Sequence, residues 1–183
     1  MSTKVLVAGI GNVFLGDDGF GVETVRALSG HPLPDGAEVV DFGVRGVHLA
    51  YQLLDGYDTL LLVDATARGG EPGTLYLIDV GAEAGGGSGP GVEPGGGAVL
   101  DGHHMSPDTV LALLDTLCAG TGATPPRRTL VLGCEPACVE EGIGLSAPVA
   151  AAVPRAVRMA LDLLHDRAPD AAGAPRPALR RTP

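Results

Sequence analysis

Three short polar segments of this sequence carry side chains that can bind a metal ion or move a proton. Gly16-Asp17-Asp18 follows the first apolar run of the chain, Asp64 follows a second such run, and His103-His104 comes ahead of a third apolar stretch. Carboxylate and imidazole groups together form a mixed oxygen and nitrogen ligand set, which suits a borderline divalent ion such as nickel or zinc. Three protein ligands would leave coordination positions for water or for ligands supplied by a partner.

Each of these residues also has an ordinary structural interpretation. Asp18 fits a helix cap, Asp64 a strand-end residue bonded to a neighbouring backbone amide, and His103 a solvated loop residue. The conjunction of two acids and an imidazole is what favours a shared site. That site requires a fold that brings three separated segments together.

Five strands are predicted from apolar runs that lie between turn residues. The first run has no alternation of apolar and polar residues, which is typical of a strand buried on both faces of a parallel sheet. The fourth alternates and predicts a half-exposed edge strand. In chain order the predicted strands are Lys4 to Ala8, Ala37 to Asp41, Thr59 to Val63, Gly73 to Val80 and Arg128 to Gly133.

Four helices are predicted between and after these strands. Ser106-Pro107 is typical of an N-cap followed by the first helical turn. We expect Pro154 to kink or restart the last helix, because proline cannot donate a backbone hydrogen bond there. Apolar residues at helical spacing mark these helices at Val22 to Leu28, Val47 to Leu54, Val110 to Leu117 and Val149 to Leu164.

Alternating strands and helices predict an α/β protein: a three-layer sandwich with about five strands in a mostly parallel, twisted sheet and helices on both faces. In such a sheet, the loops at the carboxyl ends of the strands form the functional edge. The three polar segments fall on that edge. The fold class therefore favours a joint site.

Length and composition limit the classes of protein. With 183 residues and 45% hydrophobic side chains, the chain suits one domain. We assign the domain to residues 1–168, with a Gly-rich mobile loop at 81–97 and a disordered tail at 169–183.

A formal charge of −10 disfavours nucleic-acid binding. No apolar run reaches the roughly 20 residues that a membrane span needs, and no leader is apparent, so we expect a soluble cytoplasmic protein.

Two further motifs are interpreted as not functional. The glycines from Gly9 to Gly16 do not have the spacing of a dinucleotide-binding loop, and acids follow where a phosphate would lie. Cys134 and Cys138 are separated by three residues, and no second pair accompanies them. We interpret them as a buried or inert thiol pair instead of a zinc site.

Several segments closely resemble the nickel-iron hydrogenase maturation proteases, the endopeptidases that trim the C-terminus of the hydrogenase large subunit. The segments occur in the order of that family and extend from the first strand to the last helix. They are GIGNVFLGDDGFGVE from Gly9, DFGVRGVHLAYQLL from Asp41, LLLVDAT from Leu60, DGHHMSP from Asp101, LGCEP from Leu132 and GIGLS from Gly142.

The resemblance implies a cleft that recognises nickel, with Asp18, Asp64 and His103 as its ligands. His103 matches the first position of the family's H-x-M-x-P motif, and His104 is the alternative. Asp41 and Gly46 match a segment associated with substrate recognition. The Gly-rich stretch at 81–97 departs from the family and resembles an insertion.

The implied function is removal of the C-terminal extension from a nickel-loaded large-subunit precursor, with nickel brought by that substrate. We expect Asp18 and Asp64 to serve catalysis as well as binding. Either the nickel or a carboxylate, as in an aspartic-type protease, would activate water. The alternatives are a nickel-checkpoint protein that does not cut, and a nucleotide- or nucleoside-binding α/β enzyme. We expect a monomer.

Overall fold

The computed structural model describes residues 3–80 and 106–166, and its described part contains a five-stranded sheet. Numbered along the chain, the strands are β1 (Val5–Ile10), β2 (Ala37–Gly43), β3 (Thr59–Ala65), β4 (Leu75–Asp79) and β5 (Arg128–Cys134). Their spatial order is β2-β1-β3-β5-β4. The pairs β1–β2, β1–β3 and β3–β5 are parallel, whereas β4 pairs antiparallel with β5 at one edge. The predicted α/β class with a mostly parallel sheet is confirmed.

Four α-helices and one short 3-10 helix lie between and after these strands within the described ranges. The 3-10 helix covers Gly16–Gly19. The α-helices are α1 (Phe20–Leu28), α2 (Gly46–Leu53), α3 (Pro107–Thr121) and α4 (Ala147–His165). Helix α1 packs against α4, and α2 packs against α3. As predicted, helices cover both faces of the sheet.

Each face of the sheet has its own apolar core, because alternate side chains of β1 and β3 point in opposite directions. Val7 and Leu61 lie in the core under α1 and α4. Leu6 and Leu62 lie in the core under α2 and α3. Every residue of β1 is buried, as the unbroken apolar run predicted. Burial of the two central strands on both faces fixes the frame from which the loops project.

The predicted helix signals near Ser106 and Pro154 have different outcomes. Ser106 is the N-cap of α3, and its side chain accepts a hydrogen bond from the Thr109 amide. The predicted restart at Pro154 is wrong, because α4 runs through it as one helix. The carbonyl that loses its helical partner belongs to Ala150, which is exposed, so water can hydrate it.

Some of the sequence predictions concern residues outside the described ranges. These are the Gly-rich loop at 81–97, the histidines His103 and His104, and the tail at 169–183. Within residues 3–80 and 106–166, no helix combines the length and the apolar character needed to cross a membrane.

Candidate active site

The candidate site lies at the carboxyl ends of β1 and β3, where the direction of strand addition reverses. From β1 the chain continues to β2 on one side, and β3 then joins β1 on the other side. Such a switch point leaves a crevice between diverging loops, where open α/β sheets bind ligands. Asp18 lies in the 3-10 helix that follows β1, and Asp64 lies near the end of β3. The structure thus places two of the three predicted ligands at one crevice.

A tight loop after β1 holds the Asp18 carboxylate in place. Its Oδ2 accepts a hydrogen bond from the Asn12 amide at 2.8 Å. Gly11 has a φ of +131°, and a Cβ there would lie 1.9 Å from the Asp18 carbonyl oxygen. Glycine is therefore required where the loop folds back on itself. In the described part of the chain, Asp18 Oδ1 has no hydrogen-bond partner, which suits a ligand oxygen.

A second glycine lets α1 approach the ends of the two central strands. A Cβ on Gly21 would lie 2.1 Å from the Val63 carbonyl oxygen and 2.3 Å from that of Ile10. Only a residue without a side chain fits between these two strand ends. This close approach holds the first turn of α1, and with it the segment that carries Asp18, beside β3.

Asp64 is electrostatically coupled to Asp18. Burial at the end of a central strand raises the pKa of Asp64, the negative charge of Asp18 raises it further, and a hydrogen bond with the Ala65 backbone partly opposes both. The resulting pKa of Asp64 is about 8. Two close carboxyl groups resist double ionisation unless a cation or a shared proton compensates them. The pair is therefore suited to hold a cation or to transfer a proton.

Asp17 is a buried residue whose role the sequence did not reveal. Its Oδ2 accepts hydrogen bonds from the amides of Ala137 at 2.7 Å and Cys138 at 3.0 Å. Ser146 donates its amide to Oδ1 at 2.7 Å and its hydroxyl to Oδ2 at 2.9 Å. Burial raises the pKa of Asp17, but these hydrogen bonds outweigh burial and lower it overall. Asp17 thus fastens residues 137–146 to the loop that carries Asp18.

Glu135 is a second acid whose contribution sequence reasoning missed. It accepts hydrogen bonds from the amides of Arg68 at 2.8 Å and Gly69 at 3.1 Å, and from the Tyr76 hydroxyl at 2.9 Å. The Arg68 amide makes the largest contribution that lowers the pKa of Glu135. These bonds fix the loop that leaves β3 just after Asp64. The position of Glu135 directly after β5 was the signal available in the sequence.

Asp41 lines a pocket next to the first loop, whereas Gly46 lines none of the pockets described and is buried at the start of α2. Asp41 lines a pocket of about 320 Å³ between the first loop and the loop after β2. The two loops are joined by a hydrogen bond of 3.0 Å from the Gly11 amide to the Gly43 carbonyl. The Asp41 carboxylate pairs with the Arg26 guanidinium at 3.1 Å. Gly46 is buried as the first residue of α2. Their predicted role in substrate recognition stays a prediction.

The two cysteines of the C-x-x-x-C motif differ in their surroundings. Cys134 and Cys138 are both free thiols, but Cys134 is buried and Cys138 is exposed. Burial raises the pKa of the Cys134 thiol to about 11, and the charge of Asp17 contributes to the same shift. The expectation of a buried or inert thiol pair is confirmed for Cys134 in that this thiol is buried. For the exposed Cys138, the expectation of an inert thiol stays a prediction.

A complete metal site is not assembled by the described residues alone. Among residues 3–80 and 106–166, no three His, Cys, Asp or Glu side chains form a group that could hold a metal ion. Asp18 and Asp64 are two of the three predicted ligands, and the third, His103 or His104, lies outside these ranges.

The fold and the coupled carboxyls define an α/β protein with an acidic cleft at its switch point. Comparison with known proteins identifies the family to which this α/β protein belongs. A sequence model described as hydrogenase maturation protease matches residues 22–82. The hydrogenase expression/formation protein HoxM of Azotobacter vinelandii is 34% identical over 98% of this chain and 81% of its own length. The hydrogenase 2 maturation protease of Escherichia coli is 32% identical over 89% of this chain and 92% of its own.

The same relationship is found in a solved structure. The hydrogenase maturating endopeptidase HybD from E. coli superposes with a TM-score of 0.67 at 28% identity, covering 90% of this chain and 93% of that one. This chain belongs to the hydrogenase maturation protease family. The resemblance inferred from the sequence motifs is confirmed.

Proposed function

We propose that the protein is an endopeptidase that removes the C-terminal extension of a nickel-iron hydrogenase large-subunit precursor after nickel has been inserted. Membership of the maturation protease family supports proteolysis as the reaction. The observation that carries the proposal is the coupling of Asp18 and Asp64 at the switch point. This pair provides acidic ligands where a precursor would present its metal.

Nickel acts in this proposal as part of the substrate. Without it, burial and the negative charge of Asp18 disfavour ionisation of Asp64 and raise its pKa. A dication between them reverses that balance and favours both carboxylates. His103, or alternatively His104, would complete the set. The binding energy of nickel to these ligands is gained only with loaded precursor. Empty precursor therefore binds more weakly, and its scissile bond is not positioned.

Two routes for hydrolysis are compatible with this site. In one, the substrate's nickel polarises the scissile carbonyl or a water molecule. In the other, a carboxylate accepts a proton from the attacking water, as in aspartic proteases. The pKa of about 8 keeps Asp64 mostly protonated at neutral pH in the free protein. The carboxylate route through Asp64 therefore requires that substrate binding first removes its proton.

Mass spectrometry of purified precursor, with and without nickel, tests the proposal directly. We expect the C-terminal fragment to be released only from nickel-loaded precursor. Asp64→Asn and Asp18→Asn should abolish release, whereas Asp115→Asn, at an exposed position on α3, should not change it. His103→Gln and His104→Gln identify the imidazole ligand by which of them stops cleavage.

Three outcomes would overturn the proposal in different ways. Cleavage of precursor without nickel would remove the metal-recognition step. Full activity of Asp64→Asn would remove the carboxyl pair from the mechanism. Tight binding of loaded precursor without any product would indicate a checkpoint protein that does not cut.

A further inference from the structure

A groove lies beside the candidate site, between the first loop and residues 137–146. Its volume is about 330 Å³, and its lining is mostly glycine and apolar side chains, with one acid. Gly16 and Gly19, which line it, flank the Asp17-Asp18 pair in the sequence. Ile143, Gly144 and Leu145 line its other side, and we call the segment that carries them, residues 137–146, the outer wall. Anything seated in the groove lies next to the segment that carries Asp18.

The outer wall is fastened at several points. Besides the four hydrogen bonds to Asp17, a parallel bridge joins Leu15 to Gly142. In this bridge the Gly16 amide donates to the Gly142 carbonyl at 2.8 Å, and the Gly142 amide donates to the Phe14 carbonyl at 2.9 Å. The wall therefore presents its side chains from a fixed backbone, which lowers the entropic cost of binding.

Large apolar side chains are exposed on this fixed backbone. Ile143 is 84% exposed and Val139 is 51% exposed. Phe14, on the other strand of the bridge, is 63% exposed and lines the neighbouring pocket that contains Asp41. Two large apolar side chains are thus exposed within one five-residue stretch of the wall, and grouped apolar exposure marks interaction surfaces more often than scattered exposed residues do. Backbone hydrogen bonds hold the wall in a conformation that exposes apolar side chains to water. This arrangement indicates that a partner covers these side chains.

The charges around the groove are acidic. Glu140 and Glu141 are exposed on the wall, and Glu23 lines the opposite side. The nearby Arg26 pairs with both Glu23 and Asp41, so its charge is compensated locally. A partner segment that carries cationic residues complements this rim.

We propose that this groove docks a segment of the large-subunit precursor in which an apolar residue is flanked by Lys or Arg. The apolar residue packs against Val13, Ile143 and Leu145, and the cations face Glu140 and Glu141. The inference rests on the proposed function, because the partner is the precursor. It adds a docking surface that does not depend on nickel.

The apolar contact is tested with Ile143→Thr, using Leu77→Thr as the matched control. Leu77 is 44% exposed on the edge strand β4, away from the crevice. For Ile143→Thr we expect KM for nickel-loaded precursor to rise about tenfold while kcat stays within about twofold, because a ground-state contact is lost. Leu77→Thr should leave both constants unchanged.

The charge contact is tested with the double variant Glu140→Lys/Glu141→Lys. Its control, Asp35→Lys/Asp55→Lys, makes the same change in net charge at exposed positions next to the starts of β2 and β3, the opposite end of the sheet. We expect about tenfold weaker precursor binding for the first double variant, with a smaller salt dependence than wild type. The control should bind like wild type.

Precursor binding is measured with and without nickel, alongside cleavage by mass spectrometry. If wild type cleaves loaded precursor but Ile143→Thr and Glu140→Lys/Glu141→Lys keep its KM and its affinity, the groove is not the docking surface. If wild type neither binds nor cleaves the precursor, the proposed function itself fails. Nickel-independent binding lost only in the groove variants supports the inference.

Discussion

The carboxylate of Asp17 accepts two hydrogen bonds from Ser146, one from the amide at 2.7 Å and one from the hydroxyl at 2.9 Å. The two residues are 129 positions apart in the chain. Their contact joins the loop after β1 to the start of α4. It makes the segment that carries Asp18 and the outer wall of the groove one unit.

Replacing Asp17 should destabilise the whole protein. In Asp17→Asn an NH2 group takes the place of an oxygen that faces N–H donors, leaving buried donors unpaired. We expect the free energy of unfolding to fall by about 2–4 kcal/mol in urea denaturation at pH 7. Asp115→Asn, at an exposed position, should change it by less than about 0.5 kcal/mol.

The same variant should show a characteristic pH dependence. The folded pKa of Asp17 is lowered, so its contribution to stability is present above the unfolded pKa of 3.8 and is lost as pH falls through the folded pKa. The difference between wild type and Asp17→Asn should therefore shrink in acid below about pH 4. A difference that stays constant down to pH 2 would contradict the hydrogen-bonded carboxylate.

Asp64 should affect stability in the opposite sense. Its folded pKa of about 8 lies above the unfolded value of 3.8, so the folded state binds more protons between these values. The stability of wild type then decreases as pH rises through this window. Asp64→Asn removes the free-energy cost of ionising this buried carboxyl in the folded state. We therefore expect the variant to be more stable than wild type by on the order of a few kcal/mol above pH 8, and equally stable near pH 4. Denaturation of both proteins across this pH range, with a chelator present, measures the difference in their free energies of unfolding.

Asp18→Asn provides the matched test of coupling. Removing the Asp18 charge should lower the pKa of Asp64, since that charge is the second cause of its elevation after burial. NMR titration of the Asp64 carboxyl carbon in both proteins measures the shift. An unchanged Asp64 titration would show that the two carboxyl groups are not coupled.

Two glycine substitutions should have opposite effects. A Cβ on Gly21 would lie 2.1 Å from the Val63 carbonyl oxygen, whereas a Cβ on Gly120 in α3 would meet nothing within 4 Å. We expect Gly21→Ala to lower the free energy of unfolding by at least about 3 kcal/mol, because two strand ends would have to move. Gly120→Ala should raise it by about 0.5–1 kcal/mol through reduced freedom of the unfolded chain. Thermal and urea unfolding of both variants are the measurements.

Glu135→Gln should loosen the loop that follows Asp64 and change a tyrosine titration. The hydrogen bond to Glu135 is the largest cause that raises the pKa of Tyr76. In Glu135→Gln the pKa of Tyr76 should fall back toward 10.0, and the amides of Arg68 and Gly69 should exchange faster. The chain has three tyrosines and no tryptophan, so phenolate absorbance follows this titration directly. Tyr57, whose pKa is raised mainly by burial, is the internal control.

Much of the fold could be predicted because local signals agreed with it. The unbroken apolar run of β1 indicated burial on both faces, and the Ser106-Pro107 pair indicated where α3 begins. The end of β3 was placed too early, since Asp64 and Ala65 still belong to the strand. Parallel pairing of both residues with β5 extends β3 beyond its apolar run.

By itself, the sequence determined the element order, the α/β class and the acidic residues at the carboxyl edge, because spacing and polarity act over a few residues. The family motif pointed to Asp18, but only the tertiary structure shows why Asp18 and not the adjacent Asp17 is coupled to Asp64. Asp17 is buried against residues 137–146, while Asp18 is coupled to Asp64. The partners of Asp17 lie more than a hundred positions along the chain, and Asp64 lies 46 positions after Asp18. Packing of the sheet, not local spacing, brings these residues together.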